Sequence, residues 1–221
     1  MAKIDNTIFF LADDATVRRI VGNNPTVIST PGISTLIRKQ DISKAFGFAY
    51  TFEDKFYYTL TFPTLTLEYD IAANEWHNRE SRNENNWLPI DVVDDILALD
   101  SKSGNVGKLN SDTKTEWGEL QLVQWTYQPV YSEGRLILHD RLELNISVGR
   151  GTTAESEIIL FISDDGGSTF REYQRRSLGN IGERETRVFW QGLGSSRNRV
   201  YQMKMSAPLD MLMFDTNVDV R

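Results

Sequence analysis

Three pairs of adjacent carboxylates are the residues whose type could most directly support chemistry in this sequence. They are Asp13–Asp14, Asp94–Asp95 and Asp164–Asp165. Neighbouring carboxylates can bind calcium or act as acid and base, but both uses require several oxygens to converge. Each pair instead adjoins a turn or a strand end, where aspartate is favoured because it bonds the local backbone. The pattern therefore predicts structural roles, with a structural calcium site and catalysis as alternatives.

The segment FISDDGGSTF, residues 161–170, has the spacing S-x-D-x-G-x-T-[W/F] of an Asp-box. This motif resembles hairpins of sialidases and of many unrelated β proteins. The carboxylate can accept turn N–H groups, the second glycine can adopt positive φ, and the aromatic ring can pack beneath the hairpin. We therefore expect a structural turn and no catalytic residue. The residues of the motif are Ser163, Asp165, Gly167, Thr169 and Phe170.

A carbohydrate-binding or sialidase-like β module built on this Asp-box is the alternative function. A sialidase would carry several such boxes, a cluster of three arginines, a tyrosine nucleophile and a glutamate partner. One box is present in this sequence, in the region that reads as a sandwich. The motif therefore favours a structural interpretation.

The C-terminal third is rich in arginine that alternates with aromatic residues along predicted strands. Arginine and aromatic side chains are enriched in protein contact surfaces. We therefore predict a protein interface here, with cross-strand pairing to Glu183 and Glu185 and contact with nucleic acid as alternatives. The predicted interface residues are Arg175, Arg176, Arg184, Arg187, Trp190, Arg197 and Arg199.

The composition excludes several classes of site. The chain has 221 residues, no cysteine and two histidines, His77 and His139, so disulfides and zinc sites built on thiolates are excluded. We expect no metal and no cofactor. No apolar run approaches the roughly 18 residues of a membrane span, and we expect no membrane association.

The net charge of −7 is distributed unevenly along the chain. Residues 1–134 hold 12 basic and 19 acidic residues, whereas residues 135–221 hold 12 of each. An acidic surface repels the phosphate backbone, so tight or sequence-specific DNA binding is not expected.

The elements that position these residues are predicted to be almost entirely strands. Residues 1–118 read as a propeller-like β-meander with a short helix near 33–45. Residues 46–81 contain four strands, a turn at Glu53–Asp54 and a second turn at IAAN, residues 71–74. A weaker copy of this pattern follows at residues 96–110. A closed propeller needs at least four blades of about 40 residues each, so this region can supply only part of one.

Residues 119–221 have longer alternating strands and predict an antiparallel β-sandwich of about seven strands. Leu142, Leu144, Ile146 and Val148 alternate with polar residues, as in a half-buried strand. The fold class predicted for the whole chain is therefore all-β, with partial propeller blades followed by a sandwich.

Most of the chain resembles the packaged-DNA stabilisation proteins of short-tailed bacteriophages, which are tail accessory or hub proteins. The strongest part spans Leu142 to Pro208 and contains LELNISVG, SDDGGSTF and RETRVFWQGLGSSRNRVYQMKMS in order. Weaker likeness lies in NTIFFLADDATVRRIVG and FYYTLTFPTLTLEYDIAANEWHNRES. The chain matches the C-terminal portion of longer members, so it is either a fragment or a naturally short relative.

This resemblance implies a non-enzymatic structural protein of the virion that is assembled in the cytoplasm of the bacterial host. Its implied partners are the portal or adaptor ring, the outer tail proteins and other copies of itself in a six-fold ring. There it would help retain packaged DNA, which would pass nearby without specific binding. Acidic channel walls would suit that passage, because each neutralised phosphate adds affinity and slows movement.

Overall fold

A computed structural model describes residues 1–94, 96–97, 100–151, 156–179, 186–207 and 209–221. Nearly all of its regular structure is antiparallel β-sheet, which confirms the all-β prediction. The chain divides into two compact units, Met1–Asp112 and Thr113–Arg221. The predicted domain bounds, 1–118 and 119–221, stay a prediction. No helix among the described residues is long and apolar enough to cross a bilayer.

The first unit consists of three successive antiparallel sheets, with strand orders β1-β2-β3-β4, β5-β6-β7-β8 and β11-β10-β9. The strand bounds are β1 Ala2–Ile4, β2 Thr7–Leu11, β3 Val17–Val21, β4 Asn24–Val27, β5 Phe46–Phe52, β6 Lys55–Phe62, β7 Leu65–Asp70, β8 Glu75–Asn78, β9 Val92–Val93, β10 Ile96–Leu97 and β11 Gly107–Lys108. The four-strand order predicted for residues 46–81 is confirmed by β5 to β8.

A short helix, α1 (Pro31–Arg38), joins the first two sheets and is followed by a 3₁₀ turn at Ile42–Lys44. It begins where Thr30 accepts the N–H of Ile33, with proline in the first turn, where no intrahelical N–H partner is needed. The helix therefore starts two residues before the predicted range of 33–45 and ends well inside it.

The central sheet of the first unit is buried on both faces. One face of β6 carries Tyr58, Leu60 and Phe62, which pack in a core with Phe9 of the first sheet. On the other face, Phe48 and Tyr50 pack with Trp87 and Val92. The uniform burial of β7 follows from this position between two layers. The first strands of the sheets are neighbours in chain order, with β1 beside β5 and β5 beside β9.

Two aspartate turns in this unit share one hydrogen-bonding pattern. Asp70 accepts the N–H groups of the residues two and three positions later through Oδ1, and its carbonyl accepts the N–H four positions later. Asp100 makes the same three contacts in the next sheet. The residue at the fourth position has positive φ in both turns, Asn74 in one and Gly104 in the other. The predicted turn at residues 71–74 and the turn in the weaker copy at residues 96–110 thus close hairpins in the same way.

The second unit begins with the two-stranded sheet β12-β13 and continues as two facing sheets. One has the order β14-β21-β17-β18, with β15 also paired to β21. In the other, β16 pairs with β19, β20 and β22. The bounds are β12 Thr115–Glu116, β13 Glu119–Leu120, β14 Val123–Thr126, β15 Val130–Tyr131, β16 Ile137–Gly151, β17 Glu157–Ser163, β18 Arg171–Ser177, β19 Thr186–Gln191, β20 Ser195–Ser196, β21 Asn198–Met205 and β22 Leu209–Val220.

The core of this unit lies between the two sheets. Alternation places Leu142, Leu144 and Ile146 of β16 on the inner face. They pack with inward side chains of the facing sheet, including Leu160 of β17 and Met203 of β21. This packing is that of a β-sandwich.

Candidate functional site

The Asp-box turn joins β17 to β18 and uses its polar groups within itself. Asp165 Oδ1 accepts hydrogen bonds from Ser163 Oγ at 2.6 Å and from the N–H groups of Ser168 and Thr169 at 2.9 Å. Thr169 Oγ1 donates to the second carboxylate oxygen at 2.6 Å. Gly167 has φ of 94° and lies next to the Phe170 ring. The carboxylate lone pairs are thus directed into the turn, which gives them a structural use.

The stability of the protein at acid pH should depend on the ionisation of Asp165. Bonds from Ser163 and then Thr169 hold the pKa of Asp165 well below its usual range. A lowered folded-state pKa contributes stability that is present at neutral pH and is lost as the pH falls below about 4. We expect Asp165→Asn to lower the thermal midpoint at pH 7, with the difference from wild type shrinking below pH 4. Thermal unfolding across pH would measure this, with exposed Asp112→Asn as the control. A difference that is constant with pH would contradict the assignment.

The neighbouring carboxylate, Asp164, pairs with a buried arginine. Arg199 Nε and Nη2 donate to the two oxygens of Asp164 at 2.6 and 3.0 Å, and Nη1 donates to the Leu193 carbonyl at 2.5 Å. Burial alone would raise the pKa of Asp164, but the bond and the charge of Arg199 lower it. The arginine therefore fastens the Asp-box hairpin to the loop that precedes β20.

A buried chain of hydrogen bonds lies in the same region and was missed by the sequence analysis. His139 Nε2 lies 3.0 Å from Ser196 Oγ, and Nδ1 lies 2.8 Å from Tyr201 OH. A serine beside a histidine could act as a nucleophile, but all three side chains are at most 5% exposed. Burial, and then the charge of Arg199, lower the pKa of His139 and so favour its neutral form. The arrangement connects β16 to β20 and β21.

The structure removes two residues from the predicted interface set. Trp190 is fully buried in the sandwich core, and Arg199 is 1% exposed. Neither side chain reaches the surface, so the interface prediction is corrected for both. The prediction was wrong for Trp190 because polar and apolar residues also alternate along a strand that faces a core. It was wrong for Arg199 because an arginine can be buried when a carboxylate and a carbonyl accept its hydrogen bonds.

The other predicted arginines that the structure describes lie at or near the surface. Arg175 pairs with Glu172 at 2.8 Å, and Arg176 donates to the Phe189 carbonyl at 3.1 Å. Arg197 is exposed and donates to the Gly134 carbonyl. Arg184, with Glu183 and Glu185, lies outside the described residues. The interface role of this group stays a prediction.

The last of these arginines, Arg187, belongs to a charged cluster on the outer face of β16 and β19. Glu143, 8% exposed, accepts Arg187 through Oε1 and Arg141 through Oε2, the latter at 2.5 Å. The Arg141 guanidinium also lies 4.6 Å from the Phe189 ring centroid. Arg141 and Glu143 were not predicted, although their spacing of two residues places them on one face of a strand.

The carboxylate pairs do not form a metal site among the described residues, where no group of three or more acidic or histidine side chains is suitably placed. Asp14 accepts bonds from Thr16 and Arg18, and the bonds from Thr16 are the main cause of its lowered pKa. Asp95 lies outside the described residues.

The first unit contains a buried tyrosine–glutamate–arginine cluster. Tyr50 OH donates to Glu68 Oε2 at 2.7 Å, and Arg79 Nη1 lies 3.1 Å from the same oxygen. Burial raises the pKa of Tyr50, which disfavours the phenolate of a nucleophile. The Arg79 guanidinium stacks over Trp87 at 3.9 Å. Because Tyr50 and Glu68 are buried, the cluster stabilises the sheet stack and presents no open sugar-binding surface.

Removing this carboxylate should destabilise the first unit. Glu68→Ala deprives the Tyr50 hydroxyl and the Arg79 guanidinium of a shared buried acceptor, so we expect a loss of about 2 kcal/mol. Urea unfolding of the full chain would measure the loss, and hydrogen exchange should locate it in β5 to β8. Exposed Glu75→Ala is the matched control, expected within about 0.5 kcal/mol of wild type. Equal effects of the two variants would contradict this role of Glu68.

Most of the five tryptophans, all of which lie within the described residues, pack or form hydrogen bonds within their own unit. Trp87 and Trp190 are buried. Trp76 donates to the Ile28 carbonyl, and Trp125 donates to Tyr127 OH. Trp117 is exposed in the hairpin between β12 and β13. Their main use is packing within the sheets.

Comparison with known families finds a match in the second unit. Residues 123–221 match the family model described as Bacteriophage P22 Gp10, beta-sandwich. The match covers less than half of the chain and includes all but the first two strands of the second unit. It supports a structural protein of a phage tail, and therefore a component of the virion, with a β-sandwich as its C-terminal domain. A comparison with curated proteins gives no match.

Proposed function

We propose that this chain is a non-enzymatic tail hub or accessory subunit that assembles at the portal vertex of a short-tailed phage. There it helps to retain packaged DNA and connects outer tail parts. The observation that carries the proposal is the match of the sandwich to the P22 Gp10 family model. The polar side chains of the Asp-box bond one another within the turn, and the Tyr50–Glu68 bond is buried, which supports assembly over chemistry.

The first unit would form part of a propeller-like wall along the DNA channel. Supporting this, its three sheets follow one another with first strands adjacent, as blades do around an axis. The turns after those first strands are acidic, at Asp5, Glu53–Asp54 and Asp94. A single cavity is lined by Glu53, Asp54 and Asp94 together with Asp91. Clustered carboxylates at this end would repel phosphate and let DNA pass without specific binding.

The partners in this proposal are the portal or adaptor ring, the outer tail proteins and other copies of the chain in a six-fold ring. Assembly would take place in the host cytoplasm, and the product would remain in the virion. The exposed side chains of the sandwich edges would supply the contacts, because burying apolar and arginine side chains stabilises such interfaces.

A phage that carries a nonsense codon in this gene tests the proposal. We expect heads that package DNA but lose it, particles that lack outer tail parts, and rescue when the chain is supplied from a plasmid. Antibody labelling of wild-type particles should mark the portal vertex. Stable filled heads with complete tails in the absence of the chain would contradict the proposal.

A further inference from the structure

The strands at the two edges of the sandwich carry opposite formal charge. β18 and β19 together contain four arginines and one glutamate, a formal charge of +3, whereas β22 contains three aspartates and no basic residue, a formal charge of −3. We call the first side the basic edge, formed by Arg171, Arg175, Arg176 and Arg187. We call the second the acidic edge, formed by Asp215 and Asp219 with the apolar Leu212 and Phe214.

The strands of the basic edge are held side by side although they belong to different sheets. Trp190 Nε1 of β19 donates to the Gln174 carbonyl of β18 at 3.2 Å, and Arg176 of β18 bonds the Phe189 carbonyl. The Phe189 ring, 42% exposed, adds an apolar surface beside these arginines. Arg187 is held by Glu143, whereas Arg171 and Arg175 pair with acidic neighbours while more than half of each side chain stays exposed. Such exposed pairs are weak and can exchange partners.

The acidic edge is open along a long strand. β22 has 12 residues and pairs with β16, and no other strand pairs with it among the residues that the structure describes. Its Leu212 and Phe214 are 59% and 57% exposed, and Asp215 and Asp219 are exposed beside them. An unpaired edge with exposed apolar side chains is a template for association.

β19 and β22 flank β16 on opposite sides of one sheet, and β18 of the facing sheet lies beside β19. A symmetric contact would place aspartates against aspartates or arginines against arginines, which is unfavourable. A head-to-tail contact instead joins unlike charges and repeats from copy to copy, which closes a ring when the rotation between copies allows it. We propose that the acidic edge of one copy docks on the basic edge of a second copy, with Phe214 and Leu212 contacting the surface around Phe189. This inference specifies the self-contact of the ring and rests on the proposed function.

Charge reversal tests the contact in solution. The acidic edge is reversed by Asp215→Lys with Asp219→Lys, and the basic edge by Arg171→Glu with Arg175→Glu. We expect the full-length wild type to self-associate in sedimentation velocity, and to do so more weakly at high salt. Each double variant should associate more weakly than wild type by a factor of about ten or more. An equimolar mixture of the two variants should associate again, because the basic edges of one variant can then dock on the acidic edges of the other. Circular dichroism would establish that both variants fold.

The control reverses a charged pair away from both edges, Glu133→Lys with Arg135→Glu, and should leave association unchanged. Phe214→Ala should weaken association without changing its salt dependence. A wild type that stays monomeric, or association that tolerates both reversals, would overturn the contact. The nonsense-codon experiment can still succeed in that case, so failure of the contact and failure of the tail function are distinguishable.

Discussion

Trp190→Ala should lower the free energy of unfolding of the sandwich by about 4 kcal/mol, the largest effect that we expect from a single substitution. Trp190 is fully buried between the two sheets, and its indole N–H reaches the Gln174 carbonyl of the facing sheet. Truncation therefore removes buried apolar surface, leaves a cavity and leaves a carbonyl without its donor. Urea unfolding of the full chain, followed by far-UV circular dichroism, would measure the loss.

Trp117→Ala provides the matched control in the same unit. Trp117 is 48% exposed, so its truncation should change the free energy of unfolding by no more than about 0.5 kcal/mol. Similar losses for the two variants would show that Trp190 does not anchor the core.

Strand order in the first unit could be read from the sequence because local signals agree there. The two residues Glu53 and Asp54 separate alternating segments, and both adopt the positive φ that a tight hairpin requires. The aspartate turn at Asp70 adds a second local signal. The order of the sheets along the chain follows from these turns alone. The closure of a propeller depends instead on contacts between the faces of sheets, which no turn sequence specifies.

The buried polar groups of the sandwich could not be predicted from the sequence, because their partners are distant along the chain. His139 contacts Ser196 and Tyr201 about 60 residues later, and no spacing rule connects them. β16 also has register shifts against β22, which change the face that successive residues occupy. The opposite charges of the two edges could not be predicted either, because strands that lie side by side in the sandwich are not neighbours in sequence.

Arg199→Ala should lower the free energy of unfolding by about 3 kcal/mol, because it breaks a buried ion pair and frees the Leu193 carbonyl. This expected loss lies at the lower end of the range for broken buried ion pairs, because Asp164 is 40% exposed and can be hydrated after the substitution. Hydrogen exchange of the full chain should show faster exchange in the Asp-box hairpin and in β20, the two segments that this arginine joins.

Arg197→Ala is the control that separates burial from residue type. Arg197 lies two positions earlier, is exposed and bonds a single carbonyl, so its loss should cost no more than about 0.5 kcal/mol. Asp164→Ala extends the argument, because it leaves the buried Arg199 guanidinium without a carboxylate and should be destabilising even though Asp164 itself is partly exposed. Equal effects of Arg197→Ala and Arg199→Ala would show that the ion pair does not fasten the hairpin.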